Sequence, residues 1–156
     1  MDENLKQLLF ALNAHDVRYL VIGGYAVFIH AQPRMTKDLD VFIESSPANG
    51  LALFRALAEF GAPLSGFTAE DFADGKTGAR FGNPPICFDI LQKISGVDFA
   101  TAYANSVPFL IDGDLPARYI SADDLITNKL ASGRLQDLAD VEAIRNRRRA
   151  VKGATT

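Results

Sequence analysis

Residues 21–44 read VIGGYAVFIHAQPRMTKDLDVFIE, and the fold turns on them. The β-branched and aromatic run from Arg18 to Ile22 stops at Gly23-Gly24. Tyr25 to His30 can then start a short helix, Pro33 closes it, and Asp38 to Ile43 returns to the pattern of a buried strand. The order is strand, glycine turn, helix, strand. At such a turn backbone N–H groups can approach a phosphate, and the start of the helix favours negative charge. Taken without context, two glycines equally describe a tight turn. Neither a G-x-G-x-x-G nor a Walker lysine motif is present, which removes the common dinucleotide and P-loop readings.

Asp38 and Asp40 stand two residues apart on the second strand, so both carboxylates point to one face. Buried side by side they cannot both stay ionised without a compensating cation, because each raises the pKa of the other and desolvation adds to the penalty. Either that strand end is solvated, with Lys37 as counter-charge, or a metal sits there. Asp89, flanked by Phe88 and Ile90, is a third carboxylate in a like setting. If its strand lies beside that of Asp38 and Asp40, three oxygen ligands converge. The single cysteine, Cys87, falls in the same apolar run and reads as core, and His15 and His30 are the two histidines. No zinc site of His/Cys type can be assembled from them, so a metal here must be bound by oxygen. Hard oxygen ligands select Mg²⁺ or Mn²⁺, and two such ions bridged by carboxylates suit in-line phosphoryl or nucleotidyl displacement.

Outward from this stretch, Leu5, Leu8, Leu9 and Leu12 recur at helical spacing and make Asp2 to Ala14 an amphipathic helix. Ser46 with Pro47 is an N-cap and first-turn pair that opens a helix through Phe60, ended by Gly61. Residues 61–85 hold much of the Gly and Pro and yield one helical turn, at Thr68 to Ala73. Pro84-Pro85 leads into a third strand, Ile86 to Leu91, and Val97 to Asn105 is predicted as a short helix. Val107 to Ile111 and Leu115 to Ile120 flank Asp112-Gly113-Asp114, which predicts an antiparallel hairpin, with Pro108 and Pro116 marking edge positions. Ser121 and Asp124 form a capping-box pattern that starts a helix to about Ser132. After Gly133 a last helix runs from Arg134 towards Arg149.

A chain of 156 residues suits one domain over its whole length, leaving no room for a separate substrate domain of ordinary size. With 48% hydrophobic and 22% charged residues and a mean hydropathy near zero, it excludes disordered and collagen-like classes. The longest apolar stretch, Tyr19 to Ile29, falls short of a membrane span. The acidic, polar start at Met1-Asp2-Glu3-Asn4 lacks the pattern of a secretory signal, so a cytoplasmic protein is expected. Net charge is −3, yet five of the 16 basic residues lie after position 144. That leaves 11 basic against 19 acidic residues, a net of −8, before it. Residues 145–156 are therefore a basic tail, free to fray, that suits either a helix C-terminus or contact with nucleic acid.

Two ordered motifs with Asp89 between them carry a resemblance. Residues 21–44 resemble the signature of the polymerase-β-type nucleotidyltransferase superfamily, specifically its small bacterial members related to the AbiEii-like nucleotidyltransferase toxins of abortive-infection systems. Residues 121–144, SADDLITNKLASGRLQDLADVEAI, resemble the helical Asp-Leu-Ile, Lys, Arg and Lys/Arg-Asp-x-x-Asp pattern near the end of those proteins. The resemblance implies a mixed α/β fold, a nucleotidyltransferase-type mixed sheet flanked by helices with a C-terminal helical pair. It also implies that Asp38 and Asp40 are a metal-chelating catalytic pair, with Asp89 the third carboxylate, holding two Mg²⁺ or Mn²⁺ ions. Gly23, Gly24, Arg34, Thr36 and Lys129 would bind a nucleoside triphosphate, with Arg134, Asp137 and Asp140 in support; Lys129 reads equally as an ordinary exposed helix lysine, and Arg34, Thr36, Arg134, Asp137 and Asp140 also suit structural pairing around the site. Many superfamily members have Gly-Ser, its hydroxyl on phosphate, where this chain has Gly23-Gly24. The activity implied is transfer of a nucleoside monophosphate to a hydroxyl of a tRNA end, a protein or a small molecule. The partners expected are an antitoxin, if the setting is toxin–antitoxin, or a second copy of the chain, and no membrane. Two rivals remain: a catalytically inactive nucleotide-binding or partner-binding module of the same fold, and a Mg²⁺-dependent phosphohydrolase that would release inorganic phosphate.

Overall fold

The computed structural model describes residues 1–36 and 38–154, so Lys37, read above as a counter-charge, lies outside the described residues. A six-stranded mixed sheet runs in the order β3-β4-β2-β1-β6-β5. Its strands are β1 (Tyr19–Ile22), β2 (Asp38–Ile43), β3 (Ala79–Asn83), β4 (Ile86–Leu91), β5 (Val107–Ile111) and β6 (Leu115–Tyr119). The inner pairs fix the site. β1 and β2 are antiparallel with Ile22 opposite Asp40, and β2 and β4 are parallel with Asp40 opposite Asp89. Every residue of β1 is buried, as expected for a strand covered on both faces.

Helices flank the sheet: α1 (Glu3–Ala14), α2 (Gly23–His30), α3 (Pro47–Phe60), α4 (Phe99–Ala104), α5 (Ala122–Ser132) and α6 (Leu135–Ala154). Leu5, Leu8, Leu9 and Leu12 of α1 are at most 2% exposed, each burial worth about 1.5–3 kcal/mol. α1 packs on α3, and Phe60 of α3 meets Phe88 of β4 edge-on at 5.6 Å, which fixes the face these helices cover. By alternation Asp38, Asp40 and Phe42 point to the opposite face, where Phe99 of α4 meets Phe42 at 5.1 Å. α2, α5 and α6 pack together, and α5 and α6 are the C-terminal helical pair. No helix among the described residues is long and apolar enough to cross a membrane.

Caps behave as their residues dictate. Ser46 accepts from the N–H of Asn49, with Pro47 behind it, and Gly61 ends α3 at φ +95°. Ser121 accepts from the N–H of Asp124, and Gly133 ends α5 at φ +70°. The turn at Thr68 is a 3₁₀ turn, Ala69–Ala73, with a reciprocal capping box between Thr68 and Asp71.

Four expectations are corrected. α2 begins at Gly23 rather than Tyr25, because Gly23 itself makes the bend at φ +65°. A strand, β3, lies in the stretch that yielded only a helical turn. α4 is shorter than Val97 to Asn105, since Asp98 is its N-cap, with Thr101 N–H donating to the Asp98 carboxylate. Pro116 is not on an edge strand, for β6 lies between β1 and β5. Its missing N–H is tolerated because β1 pairs with β6 at Tyr119, away from Pro116, whose carbonyl accepts from Asn13 Nδ2 at 2.7 Å.

Candidate active site

The carboxylates come from two adjacent strands. Because Asp40 lies opposite Asp89 in a parallel pair and Asp38 two residues before Asp40, all three leave one face of the sheet in one patch. Asp40 is the most constrained. Burial, then the Asp89 charge and a hydrogen bond with Asp89, then the Asp38 charge push its carboxyl from 3.8 up to about 7, with Lys129 opposing. Among the described residues no cation pairs with Asp40 directly. Asp38 is 39% and Asp89 21% exposed at the side chain, so the row opens to solvent on their side.

The counter-charge at that opening is Arg80, which the sequence reading missed. It stands on β3 directly opposite Asp89. Its Nη1 donates to both Asp89 oxygens (3.3 and 3.0 Å) and its Nη2 to Asp38 Oδ2 (2.9 Å). The strand signal that would have exposed it is the alternation of buried Ala79 and Phe81 around exposed Arg80, hidden by Gly78, Gly82 and Pro84-Pro85 on either side.

Gly23 and Gly24 are demanded by close approach. A Cβ at Gly23 would lie 2.2 Å from Asp40 Oδ2, and one at Gly24 would lie 2.5 Å from Thr36 Oγ1 and 3.3 Å from Arg34 Nη2. The glycine turn thus lets the start of α2 sit against the Asp40 carboxylate, while Thr36 and Arg34 fold over the next residue. No side chain caps the first N–H groups of α2, which leaves them for an anion.

Lys129 is neither an exposed helix lysine nor a free cation. It is 5% exposed, with its Nζ 2.8 Å from Asp140 Oδ2 and 3.3 Å from Asp137 Oδ1. Both aspartates are 2% exposed. Arg134 Nε donates to Asp137 Oδ2 at 2.9 Å. Arg34 Nη2 donates to Asp140 Oδ2 at 3.1 Å, while its Nε, 3.1 Å from Oδ1, is buried without a well-angled acceptor. Burial pushes the Asp137 carboxyl up, but hydrogen bonds from Arg134, Ser132 and Lys129 outweigh it and hold the group at about 2. The structure therefore brings Arg34, Lys129, Arg134, Asp137 and Asp140 into one network next to Gly24.

A cavity of about 550 Å³ lies between Asp40 and this network, lined by Gly23, Asp40, Lys129, Arg134 and Asp137 together with Lys93, Ser95 and Asn128. These last three gave no signal in the sequence, since single polar residues after β4 and on α5 belong to no motif. Asn128 Nδ2 donates to the Ser95 carbonyl at 2.9 Å, tying Ser95 to α5. The basic stretch continues α6 and is partly engaged: Arg147 donates to the Ala31 carbonyl (2.6 Å), Arg148 pairs with Asp123 and Arg149 with Glu142.

The donor chemistry of the row suits a hard divalent ion: three carboxylates, no sulfur or imidazole, and one carboxyl raised to about 7 by burial and by the other two charges. As they stand, no three His, Cys, Asp or Glu among the described residues are grouped to hold a metal. Arg80 is there instead. Residues 1–147 match the family described as "Nucleotidyltransferase of unknown function (DUF6036)". No curated protein matches the chain.

Proposed function

The chain belongs to this nucleotidyltransferase family, and from that premise we propose that it moves a nucleoside monophosphate from a nucleoside triphosphate to an acceptor hydroxyl. The hydroxyl oxygen attacks the α-phosphorus in line, the bond to the bridging oxygen breaks, pyrophosphate leaves, and the hydroxyl proton passes to a carboxylate of the row. Asp38, Asp40 and Asp89 would hold Mg²⁺ or Mn²⁺, which when bound supplies charge neutralisation to phosphates and acceptor oxygen. The uncapped N–H groups at Gly23 and Gly24 would receive phosphate oxygens. Thr36 and Arg34 would bound that phosphate position, Arg34 being held by Asp140. Arg134, exposed at the cavity, would offer a cation to the phosphates, while Lys129 is held with Asp137 and Asp140 and keeps that wall in place. Catalysis on this reading is positioning and electrostatic stabilisation.

One observation carries the reading: Asp40 of the carboxylate row and Gly23 of the glycine turn line one cavity and approach each other closely. The acceptor class, an RNA end, a protein or a small molecule, and a toxin–antitoxin role rest on the resemblance of residues 21–44 and 121–144 to the abortive-infection branch. A second reading, an inactive module that binds a partner, is favoured by the exposed Leu130, Leu135 and Leu138 of α5 and α6.

Calorimetric titration of the four nucleoside triphosphates, each with and without Mg²⁺, into wild type and the Asp38→Asn, Asp40→Asn double variant tests the site. The expected result is binding that needs both metal and carboxylates, followed by transfer of an α-labelled nucleotide to an acceptor. Binding of no triphosphate would overturn the catalytic reading in favour of the partner-binding one. Release of inorganic phosphate without transfer would point to a phosphohydrolase.

A further inference from the structure

Arg80 has a geometry that simple surface pairing does not require. Of β3's residues, Ala79 and Phe81 face the core, and Arg80 is the one that reaches over β4 to the carboxylate face. Its guanidinium touches ligands from two strands at once, Asp89 on β4 and Asp38 on β2, and takes both oxygens of Asp89. Those oxygens are the ones a divalent ion would need. An ion that takes the oxygens Arg80 now engages competes with the guanidinium for their lone pairs, and the two positive charges repel at contact distance. Arg80 is 54% exposed at the side chain and, among the described residues, pairs with no other carboxylate, so its release gives up little beyond these two pairs and a contact with Cys87.

We propose that Arg80 is a resident counter-cation that occupies the seat between Asp38 and Asp89 and exchanges with the divalent ion, so that arginine and metal are mutually exclusive at this row. The inference rests on the metal-site reading above. In the metal-free protein Arg80 keeps Asp38 and Asp89 drawn together across β2 and β4. On metal entry it leaves toward solvent at the sheet edge, where the triphosphate of a bound nucleotide could receive it. Arg80 is thus a positioning residue for the metal ligands.

The probe is Mn²⁺ alone, titrated calorimetrically into metal-free wild type, Arg80→Gln, Arg80→Lys and the Asp38→Asn, Asp40→Asn variant. Arg80→Gln removes the competitor and is expected to bind Mn²⁺ about five- to tenfold tighter than wild type. Arg80→Lys, which keeps the charge but lacks the planar fork that spans both strands, should fall between them. In the wild type the Arg80 Nε–Hε resonance should move to the position of a solvated arginine as Mg²⁺ is added. Equal or weaker Mn²⁺ binding by Arg80→Gln, with binding still abolished in the double Asn variant, would overturn the exchange and leave the metal site standing. Absence of Mn²⁺ binding in every protein would overturn the metal-site reading and the exchange with it. Arg80 is exposed on an edge strand, so both variants should fold, which thermal melting verifies.

Discussion

Replacing Asp40 by Asn should make the metal-free protein more stable and inactive. An ordinary Asp ionises at 3.8, whereas the Asp40 carboxyl, buried beside Asp89 and Asp38, ionises at about 7. Between these values the folded state holds a proton that the unfolded state has released, so wild-type stability falls as pH rises from about 4 to about 7 and is level above. A shift of about three units corresponds to about 4 kcal/mol at pH 8. Asn keeps the shape, carries no charge and can donate to Asp89, so it should recover most of that penalty. For a domain of this length the gain appears as a melting temperature higher by roughly 10 °C. At pH 4 the folded carboxyl is protonated and the unfolded one is roughly two-fifths protonated, so the gap should shrink below about 1 kcal/mol. Urea unfolding of both proteins in chelator at pH 4 and pH 8 measures the difference. If Asp40→Asn is the less stable protein at pH 8, or if the gap does not depend on pH, Asp40 is not an under-compensated carboxylate and the reasoning fails. Excess Mg²⁺ should raise the melting temperature of the wild type and leave the variant nearly unchanged.

Lys129→Met leaves two buried aspartates with one counter-charge fewer, and should cost about 3–5 kcal/mol in urea unfolding at pH 7; a cost below 1 kcal/mol would mean that Arg34 and Arg134 suffice. Gly24→Ser puts a side chain against Thr36, and should cost about 1–3 kcal/mol in thermal unfolding, much of it recovered by adding Thr36→Gly. No recovery would show that the space at Gly24 is set by Arg34 rather than by Thr36. Arg147→Ala loses a charged donor to the Ala31 carbonyl and should cost about 1.5–3 kcal/mol in the same assay. An unchanged melting temperature with weakened tRNA binding would assign Arg147 to an RNA-facing surface instead.

What the sequence could and could not reveal follows from how far each cause reaches along the chain. The two-residue spacing of Asp38 and Asp40 is a local fact, since strand geometry alone turns it into a shared face. Caps at Ser46 and Ser121 and the ends at Gly61 and Gly133 are equally local. The convergence of Asp89 is not, because it needs β4 to lie beside β2 in register, and pairing across 49 residues leaves no periodic trace. Lys129 shows the same limit in another form. Its spacing on α5 predicts a helix lysine, but its burial is decided by α6, which brings Asp137 and Asp140 to it and leaves it inside a network rather than beside a free phosphate. Arg80 lay further out of reach. Glycines and prolines around β3 diluted the strand pattern, and nothing in the order of residues says that a guanidinium on one edge will lie across carboxylates on two other strands. Charges act through space, not along the chain, and carboxylates brought together by folding must meet a counter-charge from wherever the fold supplies one. A motif can therefore name the acids of such a site while remaining silent about the cation that holds them before any metal arrives.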